Sequence, residues 1–250
     1  MNLRPCTPDE LFEDMLYSPL DWPRKTTRLR RDSVQDVRQR PASASAAVAE
    51  LYHENSKLHP GRCDELAASR LDPDAVRLAF LRRRAATTRP AMTSETERFA
   101  PVRPLLGVVA RSARAPLLYA LELRVADASL VARHEPLTDA LVIIKATTPR
   151  EYAAMQRGLD LLAPAEASAS VVIFVVASFV RNEVLYGARG YRRTLMEAGR
   201  LVEIVATEAE RLEIPVRPVV EFHDRTVDGF AEVDGVEEAT LLVLAVGGES

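Results

Sequence analysis

The stretch Glu183–Glu203, "EVLYGARGYRRTLMEAGRLVE", decides how the rest of the chain is read. It packs Tyr186, Gly187, Arg189, Gly190 and Tyr191 into six residues and then runs on as an amphipathic helix. From Tyr191 onward, Leu195, Ala198, Val202, Val205, Ala209 and Leu212 recur at spacings of three and four, which predicts one helical face, and Pro215 ends the element. Gly199 lies inside that helix, where glycine costs about 1 kcal/mol relative to alanine, so the spacing predicts a close approach of another helix or a flat ligand.

Working outward, "SVVIFVVASF" (170–179) is apolar on both faces and predicts a central or interface strand. In "LLYALELRVAD" (117–127), Leu121, Leu123 and Val125 alternate with Glu122 and Arg124, as in a strand with one buried face. "ALVIIKATT" (140–148) is a further strand, and "PREYAAMQRGLDLL" (149–162) a helix opened by Pro149, with Tyr152, Met155, Leu159 and Leu162 on one face. "VRPVVEF" and "TLLVLAV" are strands separated by the acidic helix or loop "DRTVDGFAEVDGVEE". Nearer the N-terminus, Asp72 and Pro73 in "LDPDAVRLAFLRRR" are an N-cap and a first helical residue, with Val76, Phe80 and Leu81 as the apolar stripe. "RRRAATTRPAMTSETERFAPVRP" has no period and three prolines and reads as loop with one helical turn after Ser94. Without a βαβ rhythm, the expectation is an α+β fold, a sheet packed by helices.

Composition narrows the function classes. The 250 residues are 47% hydrophobic and 28% charged with net charge −3, which gives no general reason to expect nucleic-acid or membrane binding. The longest apolar run is too short to span a bilayer, and nothing near Met1 has a signal-peptide pattern, so a cytoplasmic protein is expected. Cys6 and Cys63 follow no metal or redox spacing, and no histidine–carboxylate set is spaced for a metal. Residues 24–40 hold seven basic and two acidic side chains, a solvated arm or a contact for an acidic partner. His223, at a strand end, has the chemistry of a general base without a partner to support it.

Four segments in order carry a resemblance. "LYGARGYRRTLMEAG" (185–199) matches a Lys-Tyr-Gly-x-Arg-Gly-Tyr-Arg pattern followed by a helix with Ala-Gly, except that Leu185 replaces the lysine. "LYHENSKLH" (51–59) is similar to a Tyr-His-x-x-Ser-Lys signature that includes His53 and Lys57, "RRRAATTRP" (82–90) to Arg-Arg-Ser-x-Arg, and "RAPLLYALELRV" (114–125) to a glycine-rich loop and its strand. These patterns are those of nitroreductase-like flavoproteins of the peptide azoline dehydrogenase type, and the chain resembles that family from about residue 51 onward.

The resemblance implies a nitroreductase-like fold with a central, mainly antiparallel sheet packed by helices. It also implies a homodimer with FMN at the interface, preceded here by an N-terminal arm over 1–50. It makes Tyr186 the catalytic candidate and Arg83, Arg84, Arg89, Arg114, Leu117 and Gly199 the FMN-binding ones. Guanidinium groups suit the phosphate, and the small helix residue leaves room for the ring. The implied reaction is dehydrogenation of azolines to azoles in a ribosomally made, modified precursor peptide, alongside other enzymes of its biosynthesis. A phenol is a poor base at its ordinary pKa, and Lys145 is an alternative source of a base. Leu185, the missing loop glycines around Pro116, Ala86 and Thr87 in place of serine, and the "VGGES" end support a second expectation: a flavin-free partner or scaffold subunit on the same fold.

Overall fold

The computed structural model describes residues 72–90, 97–109, 111, 115–159 and 169–247. Helix α1 covers Pro73–Thr87, and the Asp72 carboxylate caps it by accepting from the Asp74 N–H at 3.0 Å. A 3-10 segment, Glu97–Val102, leads into α2, Arg103–Gly107. The expected loop after Arg82 is thus helical at both ends: α1 runs on to Thr87 with Leu81 anchored in the core, and the helical turn expected after Ser94 is the 3-10 segment Glu97–Val102. Residues 91–96 between them lie outside the description.

Six strands form one sheet in the order β3-β2-β1-β4-β6-β5, with every neighbouring pair antiparallel. The strands are β1 (Leu121–Ala126), β2 (Leu130–Glu135), β3 (Ala140–Ala146), β4 (Val171–Ser178), β5 (Val216–Val219) and β6 (Glu238–Val246). The expected strands are present and "SVVIFVVASF" supplies the inner β4, while β2 had not been anticipated from "LVARHE". Its tight entry explains its position: the Asp127 carboxylate accepts from the Ser129 and Leu130 N–H groups, turning the chain straight back. Asp139, with φ of 50°, makes the next reversal into β3.

Each sheet face carries its own core. One is built from Leu121, Leu123, Val125, Ile173, Val175, Leu242 and Leu244 against α1, α2 and the long helix α5, Gly190–Arg211. The other packs Val172, Phe174, Val176 and Val243 against Tyr152, Met155 and Leu159 of α3 (Pro149–Leu159) and Val227 and Phe230 of α6 (Asp224–Ala231). The expected face of α3 is seen as far as Leu159; Leu162 lies outside the described residues.

Two sequence expectations are corrected. Strand β1 is buried on both faces, with Glu122 and Arg124 enclosed because ion partners satisfy them. The buried face of α5 runs through Gly190, Thr194, Glu197, Ala198, Leu201, Val205 and Ala209, leaving Tyr191 and Leu195 about four-tenths exposed and Met196 70% exposed. Polar residues 194 and 197 displace the apolar ones there because a buried arginine needs them. Gly199 is exposed, and a Cβ built on it meets nothing within 4 Å, so no part of the described chain presses on it.

No helix among the described residues is long and apolar enough to cross a membrane, and none of their His, Cys, Asp and Glu side chains group as a metal site. The expected boundary at residue 50 lies outside the described residues.

Candidate functional site

The opening motif folds as a corner between two helices. Helix α4, Phe179–Tyr186, ends at Gly187, whose φ of 56° with ψ of −142° is open to glycine. A 3-10 turn, Gly187–Arg189, then delivers the chain to α5. Gly190 is the crossing point: a Cβ there would lie 2.4 Å from the Asn182 carbonyl carbon and the Glu183 nitrogen. The two glycines are therefore explained by backbone geometry before any ligand is invoked.

The corner is held by a buried polar cluster contributed by three helices. Arg77 of α1, 2% exposed, donates through Nη2 to Glu197 Oε1 at 2.8 Å and to Asn182 Oδ1 at 3.0 Å. The Asn182 amide nitrogen donates to Glu197 Oε2 and to Thr194 Oγ1, and Thr194 donates to the Gly190 carbonyl. Arg193 Nε donates to the same Glu197 Oε1 at 2.8 Å.

Tyr186 lies against both arginines. Its ring centroid is 5.3 Å from the Arg77 guanidinium carbon and 4.2 Å from that of Arg193, within cation–π range on both counts. Burial raises the phenol pKa above its ordinary value and outweighs the downward pull of the two arginines. At neutral pH Tyr186 is a neutral O–H donor, not a base. Beside it, Tyr119 is fully buried, its pKa pushed up to about 12 by burial, and its hydroxyl has no partner among the described residues.

Leu185, like Ala79 and Phe80, packs against the buried cluster of Val76, Tyr119 and Ala120. The position expected to carry a lysine is therefore part of an apolar cluster that an ammonium group would enter at a desolvation cost. Lys145 does not replace it. Its Nζ lies 2.6 Å from Glu232 Oε1 and 5.1 Å from the centre of the Phe230 ring, on the α6 side of the sheet.

The expected cofactor residues separate. Arg84 is tied down: Nε donates to Glu135 Oε2 at 2.9 Å and Nη1 to Glu122 Oε1 at 3.1 Å, which corrects the picture of a side chain held open for phosphate. Burial lowers its pKa, against the pull of those two carboxylates. Arg83 is partly exposed and Arg89 exposed, and neither has an ion pair among the described residues. Leu117 sits in the core at 6% exposure, and Arg114 lies outside the described residues, as do His53 and Lys57. His223 is exposed at the start of α6, where its backbone carbonyl accepts from the Thr226 and Val227 N–H groups.

Arg84 belongs to a second ion cluster that sequence reading missed. Glu122 also accepts from Arg181 at 3.1 Å and Arg124 at 3.3 Å, while Glu238 accepts from both of these arginines. Burial alone would raise the Glu122 pKa, but the surrounding guanidiniums of Arg181, Arg84, Arg124 and Arg133 hold it down at about 2. For the helix-corner cluster the available signal was register: Arg77 stands four residues before buried Leu81, and Glu197 four before buried Leu201. A charged side chain in step with a buried stripe calls for a partner.

No protein-family model matches the chain, and no curated protein matches it. Solved structures do. The E. coli microcin synthetase McbBCD complex, with truncated pro-MccB17 bound, contains a chain 20% identical with a TM-score of 0.51, covering 60% of this chain and 63% of that one. A proposed nitroreductase from Anabaena variabilis is 17% identical with a TM-score of 0.57, covering 80% of this chain and 46% of that one. This chain thus spans less than two thirds of either. At these identities the likeness concerns architecture, and it agrees with the antiparallel sheet and its helices: the chain has a nitroreductase-like fold.

Proposed function

We propose that the protein is an FMN-dependent oxidoreductase that dehydrogenates azolines to azoles in a ribosomally synthesised, modified peptide. In this reading it works as a homodimer beside other enzymes of that peptide's biosynthesis. The observation that carries the proposal is Tyr186 in cation–π contact with both Arg77 and Arg193 at a glycine-built helix corner, on a nitroreductase-like fold.

The residues present fit a flavin in part. Arg83 and Arg89 are cations with room for a phosphate, whereas Arg84 is committed to carboxylates. The exposed side of α5 around Leu195, Met196 and Gly199 is an apolar surface on which a ring or a second copy can lie. Bound there, FMN would supply the hydride acceptor. The chain's own part is positioning: Tyr186, kept protonated, donates its O–H to an acceptor on the substrate heterocycle or its neighbouring carbonyl, while the two arginines restrain the ring. The ring proton that leaves with the hydride then passes to solvent rather than to Tyr186. In the same reading residues 1–50 form an arm ahead of a domain over 51–250.

Titrating the purified protein with FMN tests this: a perturbed flavin spectrum with saturable binding is expected, and a spectrum identical to free FMN at all ratios rejects the proposal. A second reading, a flavin-free partner subunit of a peptide-modifying complex, is favoured by Leu185 in its apolar cluster and by the committed Arg84.

A further inference from the structure

The sheet's two edges are treated differently. The β5 edge is four residues long and carries Pro218, which has no N–H to offer a further strand. The β3 edge is seven residues long, "ALVIIKA", without proline, and among the described residues pairs with β2 alone. Along its free side every second residue presents main-chain N–H and C=O groups outward, and Val142, Ile143 and Ile144 are only partly buried. A long apolar edge left open by the described residues is a hazard that proteins ordinarily blunt, so its retention calls for an occupant. Its one charged residue, Lys145, is paired with Glu232.

The charge beside this edge says what the occupant carries. Val142 of β3 stands opposite Arg133 of β2, which stands opposite Arg124 of β1. Two arginines facing each other across a ladder repel unless compensated. Arg124 is compensated by Glu122 and Glu238. Arg133 has no hydrogen bond or ion pair among the described residues, although its Nε is buried. It acts on Glu122 and Arg84 only through space. Around it, Arg84, Arg124, Arg133 and Arg181 outnumber Glu122, Glu135 and Glu238 by one. The surplus charge lies one strand in from the open edge.

We propose that β3 is a docking edge for an extended peptide segment, which adds as a seventh strand and places an acidic side chain on Arg133. An added strand lies about 4.8 Å from β3 and about twice that from β2, so a glutamate opposite Val142 and the arginine behind it close the gap between them. Main-chain bonds give affinity without sequence preference, and the Arg133 ion pair supplies the selectivity. The inference rests on the peptide-modifying reading only in naming the peptide's origin, and its test uses no flavin, so either can fail without the other.

The probes are three fluorescein-labelled, end-capped nine-residue peptides of alternating threonine and valine: one with a central glutamate, one with a central lysine, and the glutamate peptide N-methylated at alternate residues. Binding to the full chain is followed by anisotropy at low salt. The glutamate peptide is expected to bind about tenfold tighter than the lysine peptide, and N-methylation to abolish binding. Arg133→Gln is expected to erase the glutamate preference while retaining binding of both unmethylated peptides. Hydrogen exchange on the wild-type protein supplies a readout independent of that variant's folding: β3 amides gain protection with both unmethylated peptides, at about tenfold lower concentration of the glutamate one, and none with the N-methylated peptide. Equal affinities, unchanged binding after N-methylation, protection elsewhere than β3, or no binding at all (the result if a second copy or this chain's own N-terminal residues fill the edge) overturns the proposal.

Discussion

Arg77 and Glu197, 120 residues apart in sequence, meet at 2.8 Å with both side chains almost wholly buried. Their contact fastens α1 to α5 across the helix corner and gives Arg193 and Asn182 the same carboxylate to share. Removing one member of such a pair leaves the other as an uncompensated buried charge. Glu197→Ala is therefore expected to destabilise the protein by about 3–5 kcal/mol, read as a lowered urea midpoint at unchanged m-value. A loss below about 1 kcal/mol contradicts the buried-pair account.

The two α5 glycines have opposite expectations. Gly190→Ala forces a Cβ to within 2.4 Å of the Asn182–Glu183 backbone and should cost about 3 kcal/mol or more. Gly199→Ala meets nothing and should stabilise the isolated chain by up to about 1 kcal/mol. If the exposed face of α5 is where a second copy or FMN sits, Gly199→Ala lowers dimerisation or flavin affinity while raising the melting temperature. Thermal denaturation with and without FMN separates these.

Acid stability follows from Glu122. Its carboxyl titrates near 2 in the folded protein against an ordinary value of 4.5, so the folded state holds this proton more weakly than the unfolded one. Its contribution is complete above about 4.5 and lost as pH falls toward 2, amounting to about 3 kcal/mol over that window. Glu122→Gln, though less stable at pH 7, should show a shallower fall in stability between pH 4.5 and 2 than wild type. Parallel curves refute this assignment.

Tyr186→Phe discriminates the two functional readings. As an O–H donor to substrate, Tyr186 should be worth about 10–100-fold in turnover with little change in FMN binding. Because its pKa is raised by burial, no limb of the pH–rate profile below pH 10 should disappear in the variant. A flavin-free partner subunit predicts pathway output indifferent to the substitution.

Much of the architecture was readable because each element is a local pattern. The N-cap at Asp72, the helix from Pro149 and the apolar run of β4 each express a backbone or burial requirement within a few residues. Strand β2 escaped notice because "LVARHE" carries Arg133, His134 and Glu135, polar residues that only tertiary partners make compatible with burial. His134 meets Asp139 at 2.8 Å across the following turn, and Glu135 accepts through Oε2 from Arg84 of another element.

The amino-acid order by itself determined the α+β class and the long helix entered after Gly190, since these depend on neighbours in the chain, while Tyr186 was singled out by the resemblance of its motif. Only the tertiary structure decided which face of α5 is buried, that Arg84 is spent on Glu122 and Glu135, and that Leu185 lies in an apolar cluster. Those outcomes depend on which charges meet across distances of 38 to 120 residues. A buried ion must find its counter-ion wherever the fold brings one, and no local periodicity records where that is.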